Sequence, residues 1–128
     1  MTPKNVALRA EWTRTHAWTC KRVLEHFTIS CRAYYLGAKT AEHASIVTWG
    51  TLVPREDKDA LQAMRMVAHA AMYGLVLNDL VEKRLGWSDG KFYRARKRGA
   101  LAICSYLNAE HIPVERRLVD AGVACVAH

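Results

Sequence analysis

Between Lys83 and Arg98 the chain carries seven basic residues, Lys83, Arg84, Lys91, Arg94, Arg96, Lys97 and Arg98, against one acid, Asp89. The remaining positions hold 12 positive and 11 negative charges, so one eighth of the sequence holds nearly all of the net +7. A localised excess of this kind is chemistry for an anionic partner. Lysine and arginine neutralise phosphates, arginine also reads guanine edges with two parallel hydrogen bonds, and a glycine such as Gly90 lets backbone approach a phosphate closely. A solvated basic helix face is the plain alternative, and the order of elements around the run decides between them.

Other chemistry finds little support in the residue types. The six histidines, His16, His26, His43, His69, His111 and His128, form no H-x-x-x-H or H-E-x-x-H pair, so no metal is expected. The four cysteines, Cys20, Cys31, Cys104 and Cys125, contain no C-x-x-C, and the nearest two lie 11 positions apart; reduced thiols are the expectation. There is no Gly-rich phosphate loop, no G-x-S-x-G elbow and no paired acids in a distinctive setting, so neither an enzyme nor a cofactor is expected.

The elements that would position the basic run read as helices. Cys20, Val23, Leu24, Phe27, Cys31 and Tyr34 recur at steps of three and four, which predicts a helix over 19–35 that Gly37 closes. Residues 40–52 read as helix or loop, because Ser45 to Trp49 is strand-like in composition but too short and isolated to build a sheet. Pro54-Arg55-Glu56-Asp57 suits a first helical turn, and the stripe Leu61, Met64, Val67, Ala68, Ala71, Met72 carries that helix to Gly74. Leu77 or Asn78 opens a short helix through Leu85 with Leu80 and Val81 inward, and Gly86 stops it. Ser88 is an N-cap for a long helix from Asp89 to about Asn108, ended by His111-Ile112-Pro113. Residues 114–128 form a further short helix or fray.

A helix, a tight turn, a short helix, a Gly-bearing turn and a capped helix follow the grammar of a helix-turn-helix, spanning about 59–108. Stepping about 100° per residue from Phe92 places Phe92, Ala95, Gly99, Ile103, Tyr106 and Leu107 on one side of the last helix. Gly90, Tyr93, Arg94 and Lys97 face away, with Lys91 and Arg98 at the flank. The expected DNA-contacting set is therefore Ser88, Gly90, Lys91, Tyr93, Arg94, Lys97 and Arg98, with Arg96 nearer the apolar side. Trp87 is expected to pack beneath the docking helix, with a place against a phosphate or sugar as the alternative. Trp12 and Trp18, among Arg9, Arg14, Lys21 and Arg22, read either as a partner surface or as a lid over the core.

The stretch Met72 to Gly90 resembles the helix-turn-helix in the C-terminal DNA-binding region of sigma factors, and more closely that of phage and prophage antitermination proteins of the Q type. Ser88-Asp89-Gly90, the run Arg94 to Arg98 and the apolar Leu101 to Leu107 occupy the corresponding places. The similarity runs from Asp59 to Asn108. It implies a late-gene regulator that binds DNA near a promoter and then acts on RNA polymerase. Only the DNA-contact positions carry over, since no polymerase-contacting motif is readable. Helix-turn-helix domains also serve repressors, activators and small terminase subunits, although terminases usually place this domain first.

The sequence thus predicts an all-α fold in one compact helical domain over 1–128, with an N-terminal helical part at about 10–52 and a flexible tail at about 112–128. At 128 residues, 51% hydrophobic and 24% charged, the chain can bury an ordinary apolar core. Double-stranded DNA is the expected partner, with RNA polymerase a second, as monomer or homodimer. A helical adaptor gripping another protein is the alternative. No apolar run approaches a membrane span and residues 1–9 lack a secretory pattern, so a cytoplasmic protein is expected.

Overall fold

The computed structural model describes residues 17–110 and 112, and among these the protein is all-α. Helices α1 (Cys20–Tyr35), α2 (Ala41–Val47), α3 (Lys58–Tyr73), α4 (Leu77–Leu85) and α5 (Asp89–Ala109) follow one another, with a 3₁₀ turn at Trp49–Leu52. The 40–52 segment, open between helix and loop in the sequence, is therefore α2 plus that turn. The N-terminal positions 10–16, including Trp12, and the tail beyond Ile112 lie outside the described residues.

Four of the five helices start on a side-chain cap, which satisfies an amide that the first turn would otherwise leave bare. Thr19, Thr40, Asp57 and Ser88 accept from the amides of Arg22, His43, Ala60 and Lys91 at 3.1–3.2 Å. Pro54 is not in the first turn of α3. It belongs to a preceding turn closed by the Asp57 amide on the Pro54 carbonyl at 3.1 Å, and Asp57 is the cap rather than a residue of the helix. Gly74 and Gly86 end α3 and α4 in the left-handed conformation, with φ of 66° and 65°, where a side chain would be strained.

The long helices α1, α3 and α5 pack against one another, and α2 and α4 dock on α1 and α3 respectively. The buried row of α3 is Ala60, Ala63, Met64, Val67 and Ala70, while Leu61, Ala68, Ala71 and Met72 of the expected stripe are only half-buried. Small residues take the inner row because α3 is gripped between α1 and α5. Gly99 of α5 meets it so closely that a Cβ there would lie 2.7 Å from the Met64 Cγ.

Trp18 is 4% exposed and serves as the core lid. Its ring meets Trp49 edge-on at 5.2 Å and His26 at 4.8 Å. Its amide donates to the Asn108 Oδ1 at 2.8 Å, its indole N–H to the Ile112 carbonyl at 2.8 Å, and its carbonyl accepts from the Asn108 Nδ2 at 3.0 Å and the Cys104 thiol at 3.1 Å. This tie explains a departure on α5: Tyr106, expected inward, is 45% exposed, while Ala100 and Cys104 are buried. The entry to α1 covers the Cys104 side and draws the buried face of α5 round toward it. At the opposite end of α1, Arg32 donates to the Met72 carbonyl at 2.8 Å. Inside, Ser30 and His43 form a buried hydrogen bond of 2.9 Å that joins α1 to α2. No helix among the described residues is long and apolar enough to cross a membrane.

Candidate nucleic-acid interface

The outward surface around the start of α5 is built from two anchors. Leu80 and Val81 bury one side of α4, so its last turn leaves Lys83 and Arg84 exposed. Gly86 then turns the chain, and Ser88 caps α5 with Asp89 in its first turn, where a negative charge suits the helix dipole. Phe92, Ala95 and Gly99 are buried, which fixes the rotation of α5 and leaves the intervening positions facing solvent.

Of the seven expected contact residues, all are exposed: Ser88, Gly90, Lys91, Tyr93, Arg94, Lys97 and Arg98. Their surroundings differ. Arg94 and Lys97 make no ion pair among the described residues. The Arg94 guanidinium folds back along the helix, and a Cβ at position 90 would lie 3.2 Å from its Nη1. Gly90 therefore gives the arginine room over the first turn. Lys91 places its ammonium 4.6 Å from the centre of the Trp87 ring, a cation–π contact. Trp87 itself is half-buried and packs against the core. Arg96 is half-buried, lying 5.5 Å and 5.8 Å from the Phe92 and Tyr93 ring centres.

Arg98 differs from the other six in having a carboxylate partner. Its Nε donates to the Asp57 Oδ2 at 2.8 Å and its Nη2 to Oδ1 at 3.1 Å. The pair joins α5 to the cap of α3. The arginine hydrogen bond, helped by the Ala60 amide, holds the Asp57 carboxyl below its ordinary range. The helical wheel put Arg98 at the flank but had no means of locating Asp57 beside it, 41 positions away in sequence. Lys83 and Arg84, counted in the basic run but outside the expected contact set, are also exposed.

The other chemistry-bearing groups do not assemble. Among the described residues no group of three or more His, Cys, Asp or Glu could hold a metal ion. Cys20, Cys31 and Cys104 are free thiols, and burial pushes Cys31 up to about 12. Comparison with models of protein families, with curated proteins and with solved structures finds no match.

Proposed function

We propose that the protein is a DNA-binding transcription regulator that presents the first half of α5 to the major groove, in a helix-turn-helix whose preceding helix α4 docks on α3. The observation that carries this reading is that Lys91, Arg94 and Lys97 are exposed and make no ion pair among the described residues, on a helix whose opposite side is locked by Phe92, Ala95 and Gly99. A helix held in this way offers its cations in a fixed array, which groove reading needs. Lys83 and Arg84 extend the cationic surface along α4 and suit phosphates flanking the groove.

The resemblance of Met72 to Gly90 to antitermination proteins makes the finer form of the proposal a cytoplasmic, phage-type antitermination factor that also touches RNA polymerase. Duplexes selected from a random pool supply the ligand for a gel-shift titration. Five phosphate contacts from Lys83, Arg84, Lys91, Arg94 and Lys97 give a log–log salt slope of about −4.5, and loss of one contact lowers it by about 0.9. Arg94→Glu and Lys97→Glu abolish binding, whereas Lys21→Glu on the start of α1 leaves it unchanged. Undiminished affinity in both reversals overturns the reading. A run-off assay across a terminator then separates antitermination from simple activation or repression.

One observation favours the adaptor reading as a second. At one end of the bundle Tyr35, Leu36, Tyr73, Leu75 and Val76 are exposed, the two tyrosine rings 4.9 Å apart. Apolar surface of this kind suits a protein partner. A complex that survives nuclease and is lost in Leu36→Asp/Val76→Asp supports it.

A further inference from the structure

A cleft of about 390 Å³ opens between α1, the 3₁₀ turn and α3, and no residue of α4 or α5 lines it. Its volume falls at the lower end of the roughly 300–1,000 Å³ range of small-molecule sites. The floor is apolar: Phe27, Val53 and Met64 are buried, and Leu61, left half-buried on the outer side of α3, forms a wall. This is why Leu61 departs from the inner row of α3, since it faces an opening rather than a neighbouring helix.

Arg55 and Arg65 stand at the rim, both exposed and neither in an ion pair among the described residues. The cleft's two hydroxyls are already committed: Thr48 donates to the Ser45 carbonyl at 2.6 Å and Thr51 to the Thr48 carbonyl at 2.8 Å. Among the described residues no carboxylate lines the cleft. Its polar binding capacity therefore rests on two guanidinium groups, each with a fork of donors matched to a carboxylate or phosphate.

We infer that this cleft is a binding site for a small amphipathic anion, an apolar body seated on Phe27, Val53 and Met64 with its carboxylate or phosphate held between Arg55 and Arg65. An uncharged apolar ligand would leave both guanidiniums unused, and a bare inorganic anion would leave the floor wet. The combination selects a molecule with both parts. The site is separate from the basic face of α5, so it stands or falls independently of DNA binding.

The test is an amide-resolved NMR titration of the full chain with indole-3-acetate and, as its uncharged isostere, indole-3-acetamide, each up to about 10 mM, a range that reaches the weak affinities expected of a small probe. The acetate is expected to shift the amides of residues 48–55 and 61–68 and to bind about tenfold more tightly than the amide, the worth of a charge-assisted hydrogen bond. Arg55→Gln with Arg65→Gln erases that preference, and Ala68→Leu, which fills the cleft, removes binding of both probes. Because Arg55 and Arg65 are exposed, the double variant keeps its fold and the charge test remains decisive if the filling variant does not. Equal binding of acetate and acetamide, a preference that survives the double variant, shifts centred elsewhere, or no binding at all overturns the inference.

Discussion

Replacing Gly99 by alanine sets two effects against each other, and the structure decides which wins. In the interior of α5 alanine is favoured over glycine by about 1 kcal/mol, because the backbone has less freedom to lose. The added Cβ, however, would lie 2.7 Å from the Met64 Cγ and 3.2 Å from its Sδ. The clash falls on the Cγ and Sδ within the Met64 side chain rather than only on its flexible end, so Met64, 1% exposed, must leave its rotamer or push α3 aside. Overpacking of this kind costs about 1–3 kcal/mol, so Gly99→Ala lowers stability by about 1 kcal/mol net. Met64→Ala alone costs about 2–5 kcal/mol through the cavity it opens. In that background the position 99 methyl group partly fills the void and the helix gain is no longer opposed, so Gly99→Ala raises stability by about 1 kcal/mol. The sign reversal amounts to a coupling of about 2 kcal/mol, within the range of residues in direct contact. Urea unfolding followed by circular dichroism measures all four proteins, with unchanged slopes confirming comparable transitions. If Gly99→Ala stabilises both backgrounds equally, α5 does not seat on α3 as closely as described, and the fixed orientation of its basic face loses its support.

Ser88→Ala removes the cap on the Lys91 amide and lowers stability by about 1 kcal/mol, while Ser88→Asp retains it, both read from urea midpoints. Burial holds the His26 imidazole below its ordinary 6.5 despite the opposing charge of Glu25. The unfolded chain therefore takes up the proton first, so the His26 contribution is whole above about pH 6.5 and is lost as pH falls toward the lower folded value. Thermal unfolding between pH 7.5 and 5 should show that loss, and His26→Gln should flatten it. With a thiol-reactive disulfide at pH 8, Cys20 reacts fastest of the three described cysteines and Cys31 slowest, since Cys31 is buried and its thiol is raised to about 12. Asp57→Ala costs about 1 kcal/mol through the lost cap, whereas Arg98→Gln, on an exposed pair, changes the urea midpoint little.

Much of this architecture was legible because its boundaries rest on local chemistry. Gly74, Gly86 and Ser88 act within three or four residues of themselves, so their roles can be read without knowing what they pack against. The errors arose where the cause lies far off in sequence. Tyr106 faces solvent because Trp18, some ninety positions away, occupies the Cys104 side of α5. Leu61 misses the inner row because α3 is squeezed by α5 on one side and borders a cleft on the other. Nothing local shows that Arg98 has a partner in Asp57, which still has an oxygen to offer after capping α3. A period of 3.6 gives the width of a buried stripe; the neighbours set its phase.

Those same neighbours explain why the free charge stops where it does. From Ala100 to Leu107 α5 carries Ala100, Ile103, Cys104 and Leu107 into the core, where α1 and α3 both cover it. A cation on that inner side would meet a desolvation cost with no acid to offset it. Toward the N-terminus the cover narrows to the line of Phe92, Ala95 and Gly99, so the rest of the circumference is open to carry charge. Arg98 stands at the boundary, and it is the cation of α5 that the structure pairs with a carboxylate, Asp57. That pair joins the helix to the cap of α3, and on the outer face before it Lys91, Arg94 and Lys97 meet no acid among the described residues. A face grown only for solubility would have its charges spread along the exposed length of α5. Beyond Arg98, however, the exposed positions are Leu101, Ser105, Tyr106, Ala109 and Glu110, none of them basic. The confinement of free cations to the end adjoining α4 is what the groove-reading proposal requires, and a uniform solvated face does not account for it.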